Sequence, residues 1–183
     1  MKQQPARKQP ALVVMDLQRG MFEGAGGPLH EAEKLLRRVG AMIAKARLRG
    51  QPIIFVRHDG GPGDELERGT ALWPIHPRVA PLSGPGIDEP IVDKTQPSAF
   101  AKTDMKKVLQ ARGIESLVIC GAQSDCCIAA TAKAARKAGY AVTVVADAHS
   151  TFDSRHGKAK DLRAAVNAEL AGMGIELVTA KGF

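Results

Sequence analysis

The sequence predicts an α/β fold, namely a three-layer, doubly wound and mainly parallel sheet in the strand order 3-2-1-4-5-6, with helices on both faces. Short apolar, β-branched runs alternate with segments of helical periodicity, which is typical of parallel sheets with crossover helices. Aromatic residues make up only 4% of the chain, so Val, Ile, Leu and Ala must form the core. A length of 183 residues is sufficient for one domain with a sizeable core.

The first half of the chain contains two predicted strands and one predicted helix. Residues 11–15 (ALVVM) and 52–56 (PIIFV) are short apolar runs and therefore favour buried strands. Between them, a glycine-rich loop precedes a helix over residues 31–48, whose apolar side chains recur every three or four positions. Gly50 follows the helix and is expected to end it.

Residues 57–90 are rich in glycine and proline and have little periodicity. A segment of this length without regular structure is usually functional in a compact domain, so we expect it to cover the site and set specificity. Trp73, the only tryptophan, lies in this segment. Its side chain is predicted either to line the pocket or to anchor a surface or subunit contact.

The second half continues the alternation of strand and helix. Predicted strands cover residues 91–92, 117–120 (LVIC), 142–146 (VTVVA) and 175–178, and predicted helices cover residues 103–110, 125–138 and 158–171. Thr103 is the expected cap of the first of these helices, and Ser124 or Asp125 of the second. In the predicted strand order, the first strand and the LVIC strand are neighbours at the switch point, where ligands bind beyond the carboxyl ends of the strands.

Composition limits the partners and the compartment. We expect residues 1–10 to be a flexible basic tail and residues 11–183 to be a single domain. The formal net charge is +7, but the basic helix has almost no aromatic side chain on which a base could stack, so no nucleic acid is expected. No apolar run approaches about 18 residues, so no membrane is expected either. Three cysteines without a CxxC spacing favour a reducing compartment, which we take to be the cytoplasm.

Asp16 and a pair of adjacent cysteines suggest chemistry at the switch point. Asp16 directly follows the first strand, where a buried charge is costly unless it is paired or functional, although a turn-forming aspartate explains it equally well. Cys126 and Cys127 fall in the first turn of a predicted helix, where free amides and the helix dipole stabilise a thiolate. The alternative for a free cysteine is a small buried apolar residue, and Cys120 is assigned to it.

Helical spacing separates the two adjacent cysteines. Steps of 4, 7 and 11 residues from Cys127 reach only small or neutral residues (Thr131, Ala134 and Ala138), so this face is predicted to pack on the sheet. Steps of 7 and 11 residues from Cys126 reach lysines, which indicates a solvated face. Cys127 is therefore predicted to point toward Asp16, and Cys126 sideways or outward.

Lys94 and the histidines complete the set of candidates. Lys94 follows a short strand and, if that strand joins the same sheet edge, lies near Asp16, where its charge favours a thiolate. His58 ends the second predicted strand and is a candidate for the pocket wall. No pair of histidines has the spacing of metal ligands, and we predict neither a metal nor another cofactor.

Three motifs, in this order, resemble the isochorismatase-like cysteine hydrolases over nearly the whole chain. Residues 13–18 (VVMDLQ) resemble that family's strand-Asp-x-Gln opening, and residues 94–100 (KTQPSAF) resemble its Lys-x-x-x-Ser-Ala-Phe segment. Residues 121–128 (GAQSDCCI) resemble Gly-x-x-Thr-Asp-x-Cys-Val, with Ser124 and Ile128 as departures. The resemblance implies this α/β fold and assembly as a homo-oligomer, a dimer or larger.

The resemblance also implies site residues. It implies a catalytic triad of Asp16, Lys94 and Cys127, a cis peptide bond between Ala122 and Gln123, and an oxyanion hole formed by the amides of Gln123 and Cys127. Substrate-binding candidates are Phe22, His58, Trp73, Ser98 and Phe100. The Asp-x-His metal cluster of the family's nicotinamidases is incomplete here, which argues against nicotinamidase activity.

These observations lead to one favoured function and two alternatives. We expect a hydrolase that cleaves a small-molecule amide or another non-peptide C–N bond through a thioester on Cys127. The first alternative is isochorismatase-type vinyl ether hydrolysis, which does not use the cysteine. The second is a thiol redox protein in which Cys126 partners Cys127.

Overall fold

The computed structural model describes residues 9–183. Most of the predicted basic tail, residues 1–8, lies outside the described residues. No described helix combines the length and the apolar character needed to cross a membrane.

Six parallel strands form one sheet in the order β3-β2-β1-β4-β5-β6. This arrangement confirms the predicted strand order. The sheet was predicted to be mainly parallel, and all the pairings between its strands are parallel. The strands are β1 (Ala11–Met15), β2 (Ile53–His58), β3 (Ile91–Lys94), β4 (Ser116–Ala122), β5 (Ala141–Ser150) and β6 (Glu176–Val178).

Helices cover both faces of the sheet, as predicted. They are α1 (Gly20–Glu23), α2 (Ala32–Leu48), α3 (Met105–Ala111), α4 (Ala129–Lys137) and α5 (Ala159–Gly172). Alternate residues of β1 point to opposite faces: Val13 and Met15 pack in the core under α3, α4 and α5, whereas Leu12 and Val14 pack in the core under α2. Because both faces are covered, the strand reads as a continuous apolar run.

The elements differ from the prediction mainly at their ends. The structure adds the short helix α1 inside the glycine-rich loop, and a 3₁₀ turn at Pro77–Val79 in the long segment. Strand β5 runs four residues beyond the predicted VTVVA, through Ser150, because it follows β4 past a register shift between Ile119 and Gly121. The polar residues of this extension concealed the strand in the sequence.

The predicted helix over residues 125–138 begins with a π-helical turn, Ser124–Ile128, before α4. A wider turn changes the helical phase, so the buried residues of α4 include Ala135, while Ala134 is partly exposed and Ala138 is exposed. The predicted buried face was therefore correct at Cys127 and Thr131 and wrong at Ala134 and Ala138.

Strands β1 and β4 approach each other closely where the site forms. Gly121 has a φ of +121°, and a Cβ atom built on it would lie 2.1 Å from the carbonyl oxygen of Met15. Only glycine fits this position without displacing the backbone of β1. The ends of the two strands are thereby brought together, with Asp16 on one side and the turn that carries Cys127 on the other.

The long segment after β2 is held to the sheet by the buried side chain of Gln18. Its Nε2 donates to the carbonyl oxygens of His58 (2.8 Å) and Trp73 (2.7 Å), and its Oε1 accepts from the backbone N–H of His58 (2.8 Å). One amide side chain therefore holds the segment at two points that are fifteen residues apart, His58 and Trp73.

Candidate active site

Asp16, Lys94 and Cys127 meet at the carboxyl end of the sheet, as the sequence predicted. The Nζ atom of Lys94 lies 2.8 Å from Oδ2 of Asp16 and 3.2 Å from Sγ of Cys127. The side chains of Lys94 and Asp16 are fully buried, and Cys127 is 7% exposed. The ammonium group of Lys94 thus lies between a carboxyl group and a thiol, each of which can carry a negative charge.

Three separate elements deliver these side chains. Asp16 follows β1 directly and adopts a left-handed φ of 47°, a conformation that aspartate tolerates better than most residues. Lys94 is the last residue of β3, in register with His58 of β2. Cys127 lies in the π-helical turn after β4. Because all three strands are parallel, their carboxyl ends reach the same edge.

Burial and mutual charge determine the protonation of the cluster. Burial, followed by the proximity of Cys127, raises the pKa of Asp16 well above its ordinary value of 3.8, although Lys94 opposes this shift. Burial alone would lower the pKa of Lys94, but its attraction to Asp16 and Cys127 prevails and raises that pKa above 10.5. Lys94 is therefore a stable cation, while Asp16 and Cys127 are able to exchange a proton.

The adjacent thiols differ in burial and in acidity. Sγ of Cys127 donates to Sγ of Cys126 over 3.9 Å, and this hydrogen bond, followed by burial, raises the pKa of Cys127. The same hydrogen bond lowers the pKa of the half-buried Cys126 to about 7. The resting Cys127 thus holds its proton and needs a base to become a thiolate. The pKa of Cys120 is raised to about 12 by complete burial, consistent with the inert role assigned to it.

A cis peptide bond joins Ala122 to Gln123, as the family resemblance implies. The carbonyl oxygen of Gln123 accepts from the amides of Cys126 (3.3 Å) and Ile128 (3.0 Å), which closes the π-helical turn. This turn places Gln123 and Cys127, the residues predicted to supply the oxyanion hole, on the same short segment of the backbone.

The predicted caps of this helix were wrong. Neither Ser124 nor Asp125 caps it, because both side chains bind the end of β5 instead. Oγ of Ser124 lies 2.8 Å from Nδ1 of His149, and Oγ1 of Thr151 donates to Oδ1 of Asp125 over 2.6 Å. Thr103, the other expected cap, accepts from the backbone N–H of Met105 (3.2 Å) at the start of α3.

A cavity of about 340 Å³ lies beside the cis peptide bond. Its apolar wall includes Met21, Leu66 and Phe152, and its charged wall consists of Asp64, Glu65 and Asp153, with Gln123 beside the cis peptide bond. Asp64 also lies within electrostatic range of His58, which itself contacts Lys94. The wall of the cavity thus contains Gln123 of the cis peptide bond and a carboxylate that interacts with a neighbour of the cluster. Sequence reasoning identified Gln123 and missed the other lining residues, which belong to no motif.

One of the five predicted substrate-binding residues, His58, contacts the cluster, and a second, Phe22, is next in sequence to a residue of the cavity wall. Nδ1 of His58 is 3.3 Å from Nζ of Lys94, and burial, followed by the charge of Lys94, lowers the pKa of His58. Phe22 follows Met21 of the cavity wall and packs edge-on against the ring of His76, with the ring centroids 5.0 Å apart.

The other three candidates make structural contacts. Trp73 is stacked between the guanidinium groups of Arg57 and Arg68, at 3.5 and 4.8 Å from its ring. Ser98 accepts from the backbone N–H of Phe100. The ring of Phe100 packs against Tyr140, 5.7 Å away, and against the core. None of these three lines the cavity beside Gln123.

The described part of the chain contains no group of three or more His, Cys, Asp or Glu side chains arranged to hold a metal ion. The groups that the geometry brings together are a thiol, a carboxyl group and an ammonium group.

The chain is similar to known proteins over nearly all of its length. A sequence profile of the isochorismatase domain matches residues 10–180. Streptothricin hydrolase from Streptomyces noursei is 36% identical over 143 residues, which cover 78% of this chain and 50% of that protein. Maleamate amidohydrolase from Pseudomonas putida is 29% identical over 181 residues and 82% of each chain. The chain thus spans about half the length of the streptothricin hydrolases that it matches.

A solved structure gives the same result. The crystal structure of a protein named as an isochorismatase hydrolase, from Oleispira antarctica, superposes with a TM-score of 0.88 at 32% identity and covers 97% of both chains. With the matching profile and the shared fold, this places the chain in the isochorismatase family.

Proposed function

We propose that this protein hydrolyses small-molecule amides or other non-peptide C–N bonds, with Cys127 as the nucleophile, Asp16 as the general base and acid, and Lys94 as the group that stabilises their charge. The observation that carries the proposal is the fully buried Lys94, whose ammonium group contacts both Asp16 and Cys127. Lysine side chains are almost never fully buried unless they are paired. Burying a charged lysine has a cost that function can explain.

In the first step, Asp16 takes the thiol proton of Cys127. The raised pKa of Asp16 makes this carboxylate a stronger base than an exposed aspartate, and Lys94 stabilises the thiolate that forms 3.2 Å away. The net charge of the three groups stays constant during the transfer. Transfer of a proton inside the cluster therefore avoids placing an additional charge in the protein interior.

The thiolate then attacks the carbonyl carbon of the substrate, and the C=O π electrons move onto the oxygen. We assign the stabilisation of this oxyanion to the backbone amides of Gln123 and Cys127, since such donors typically contribute about 2.7–4 kcal/mol each to the transition state. The tetrahedral intermediate collapses, the C–N bond breaks, and Asp16 returns its proton to the departing amine. The remaining acyl group is a thioester on Sγ of Cys127.

Water completes the reaction. Asp16, again ionised, removes a proton from a water molecule whose oxygen attacks the thioester carbonyl. Collapse of the second tetrahedral intermediate breaks the C–S bond, releases the carboxylic acid and restores the thiol with the proton held by Asp16. The cavity beside Gln123 has room for a small molecule, which supports small amides rather than peptides as substrates.

The names of the relatives support amides as the substrate class. Streptothricin hydrolase and maleamate amidohydrolase are named for hydrolysis, and the latter for hydrolysis of an amide. We extend only the general reaction, hydrolysis, to this chain. We do not extend the substrate of either relative to it. We also propose that the protein acts in the cytoplasm as a homo-oligomer, with a small molecule as its ligand and with neither nucleic acid nor membrane as a partner.

A second candidate function rests on the distance of 3.9 Å between Sγ of Cys126 and Sγ of Cys127. In a thiol redox protein, a peroxide would oxidise one thiolate to a sulfenic acid, and the other thiol would then form a disulfide and release water. This function leaves Asp16 and Lys94 unexplained. Formation of a Cys126–Cys127 disulfide at stoichiometric peroxide, together with a lack of amide turnover, would favour it.

The test is turnover on a panel of linear amides, carbamoyl compounds and lactams, with vinyl ethers included for the isochorismatase-type reaction. Cys127→Ala and Cys127→Ser should abolish hydrolysis, whereas Cys126→Ser, a matched change on the neighbouring residue, should retain most of it. Mass spectrometry of quenched wild-type enzyme should detect an acyl adduct on Cys127. Full turnover by Cys127→Ala on a substrate of the wild type would exclude the proposed nucleophile.

A further inference from the structure

A hydrogen-bonded network of three polar side chains, of which Asn167 is partly exposed, connects the turn that carries Cys127 to helix α5. Oγ of Ser124 lies 2.8 Å from Nδ1 of His149, and Nε2 of His149 lies 2.9 Å from Oδ1 of Asn167. Ser124 and His149 have no solvent exposure. The mechanism proposed above uses none of these three residues.

The donor and the acceptor of each hydrogen bond in this network follow from the contacts of Asn167. Nδ2 of Asn167 donates to the carbonyl oxygen of Ala146 (3.0 Å), so its Oδ1 faces His149 and accepts. Nε2 of His149 must then carry the proton, and in a neutral imidazole Nδ1 becomes the acceptor. The hydroxyl of Ser124 therefore donates to His149. Burial lowers the pKa of His149 to about 4, which keeps the ring neutral at higher pH.

This network of hydrogen bonds holds the π-helical turn at its first residue. Ser124 opens the turn, Cys127 lies three residues later, and Gln123, which carries the cis peptide bond, immediately precedes Ser124. Thr151 binds Asp125 as a second tie from the same end of β5. The extension of β5 beyond its register shift is what brings His149 opposite Gly121.

We propose that His149 and Ser124 are positioning residues that fix the turn so that the thiol of Cys127 faces Lys94 and Asp16. The inference rests on the proposed function, in which Cys127 must stay at 3.2 Å from Lys94. Displacement of reacting groups by about 1 Å can reduce a rate by about 100-fold. Asn167 fixes the ring of His149 in turn, and so sets which nitrogen is free to accept.

The experiment compares Ser124→Ala, His149→Leu and their double variant on an amide that the wild type hydrolyses. We expect each single change to lower kcat by about 10- to 100-fold with little change in KM, since the turn moves while the substrate cavity remains. The double variant should be no slower than the slower single variant, because both changes break the same hydrogen bond. Ser124→Thr keeps the hydroxyl and should restore most of kcat.

Ser150→Ala is the matched control, because Ser150 is a buried serine at the same strand end that donates to the carbonyl oxygen of His30 rather than to the turn. It should retain wild-type kcat. The rate of Cys127 alkylation by iodoacetamide, measured against pH, should change in Ser124→Ala and His149→Leu and stay unchanged in Ser150→Ala. Thermal unfolding verifies that each variant is folded at the assay temperature.

Two results would overturn the inference. One is wild-type kcat and wild-type alkylation in folded Ser124→Ala, and the other is single effects that multiply in the double variant. Failure of the proposed function would differ from both, since Cys127→Ala would then remain active. An inactive Cys127→Ala beside a fully active Ser124→Ala would refute the positioning role alone.

Discussion

At the scale of single residues, the site is an arrangement in which one cation serves two potential anions. Lys94 contacts Asp16 and Cys127 together, so its charge stabilises whichever of the two has lost a proton. Both anions present at once would leave a net negative charge in the protein interior, which is unfavourable. The titrations of Asp16 and Cys127 are therefore linked, and a change at one residue should be visible at the other.

Asp16→Asn tests this linkage. Asparagine tolerates the left-handed conformation at position 16, and with the carboxylate removed, Lys94 has only Cys127 to stabilise. We expect the pKa of Cys127 to fall and its alkylation by iodoacetamide near neutral pH to become faster. Amide turnover should fall by about 10²–10⁴-fold because the base is lost.

Lys94→Met is the opposite control for Asp16→Asn. It should slow alkylation and turnover together, because no cation remains beside the thiol. Turnover of Asp16→Asn at the wild-type rate would contradict the assigned role of Asp16.

At the scale of secondary structure, the site depends on how β4 meets its two neighbours. On one side, Gly121 lets β4 approach the backbone of β1. On the other side, the extended end of β5 binds the first two residues of the π-helical turn. The turn that carries Cys127 is thus held by both neighbouring strands, which suits a group that must keep its position within a fraction of an ångström.

Gly121→Ala should be much more destabilising than Gly139→Ala. Both glycines have positive φ values, 121° and 92°, but a Cβ at position 139 meets no atom within 4 Å, whereas at position 121 it meets the backbone of Met15. We expect a loss of about 1–2 kcal/mol in the free energy of unfolding for Gly139→Ala and about 3–5 kcal/mol for Gly121→Ala. Urea unfolding measures both, and equal losses would show that backbone conformation alone matters.

His149 should make stability depend on pH at the end of β5. Its pKa is lowered by burial from 6.5 to about 4, so below pH 6.5 the unfolded chain binds a proton that the folded chain does not. The stabilisation is fully present above pH 6.5 and is lost progressively as the pH falls to about 4, for a total of about 3 kcal/mol. The wild type should therefore lose about that much more unfolding free energy than His149→Asn between these limits, as measured by urea unfolding. Parallel losses in the two proteins would mean that His149 is not buried in its neutral form.

At the scale of the whole molecule, the sequence was sufficient for the topology because apolar strands and helical segments alternate along most of the chain, the glycine- and proline-rich residues 57–90 being the exception. It also located Asp16, Lys94 and Cys127, since parallel strands deliver their carboxyl ends to one edge. Other features depended on contacts between distant segments. The π-helical turn before α4, the polar end of β5 and the binding of Ser124 to His149 are such features, and no local pattern in the sequence encodes them.

The distribution of charge predicts which amides are preferred. The chain has a net charge of +7, yet the charged residues that line the cavity are all acidic: Asp64, Glu65 and Asp153. Asp153 pairs with Lys158, whereas no described residue forms an ion pair with Asp64 or Glu65. We expect an amide that carries an ammonium group to be hydrolysed with a kcat/KM about 3- to 10-fold above that of a matched amide with a neutral group, and a carboxylate to be disfavoured.

Glu65→Gln measures this preference directly. The variant keeps an oxygen to accept from the backbone N–H of Ala25 and loses only the charge. The ratio of kcat/KM between the ammonium and neutral substrates should fall in Glu65→Gln and remain in Glu67→Gln, which changes an equivalent charge outside the cavity. Added salt should reduce the ratio in the wild type. A ratio that neither the variant nor salt alters would contradict the electrostatic origin.

The buried amide of Gln18 has a consequence for how such a protein acquires new substrates. Because Gln18 binds the backbone of both His58 and Trp73, the residues between them are secured at their two ends by contacts that do not involve their own side chains. Those residues include Asp64, Glu65 and Leu66 of the cavity wall. We therefore expect insertions and replacements within this interval to preserve both the anchoring and the positions of the residues in the buried cluster. Sequence change in the interval, by evolution or by loop grafting, would then alter the wall of the cavity and leave the proposed catalytic residues in place.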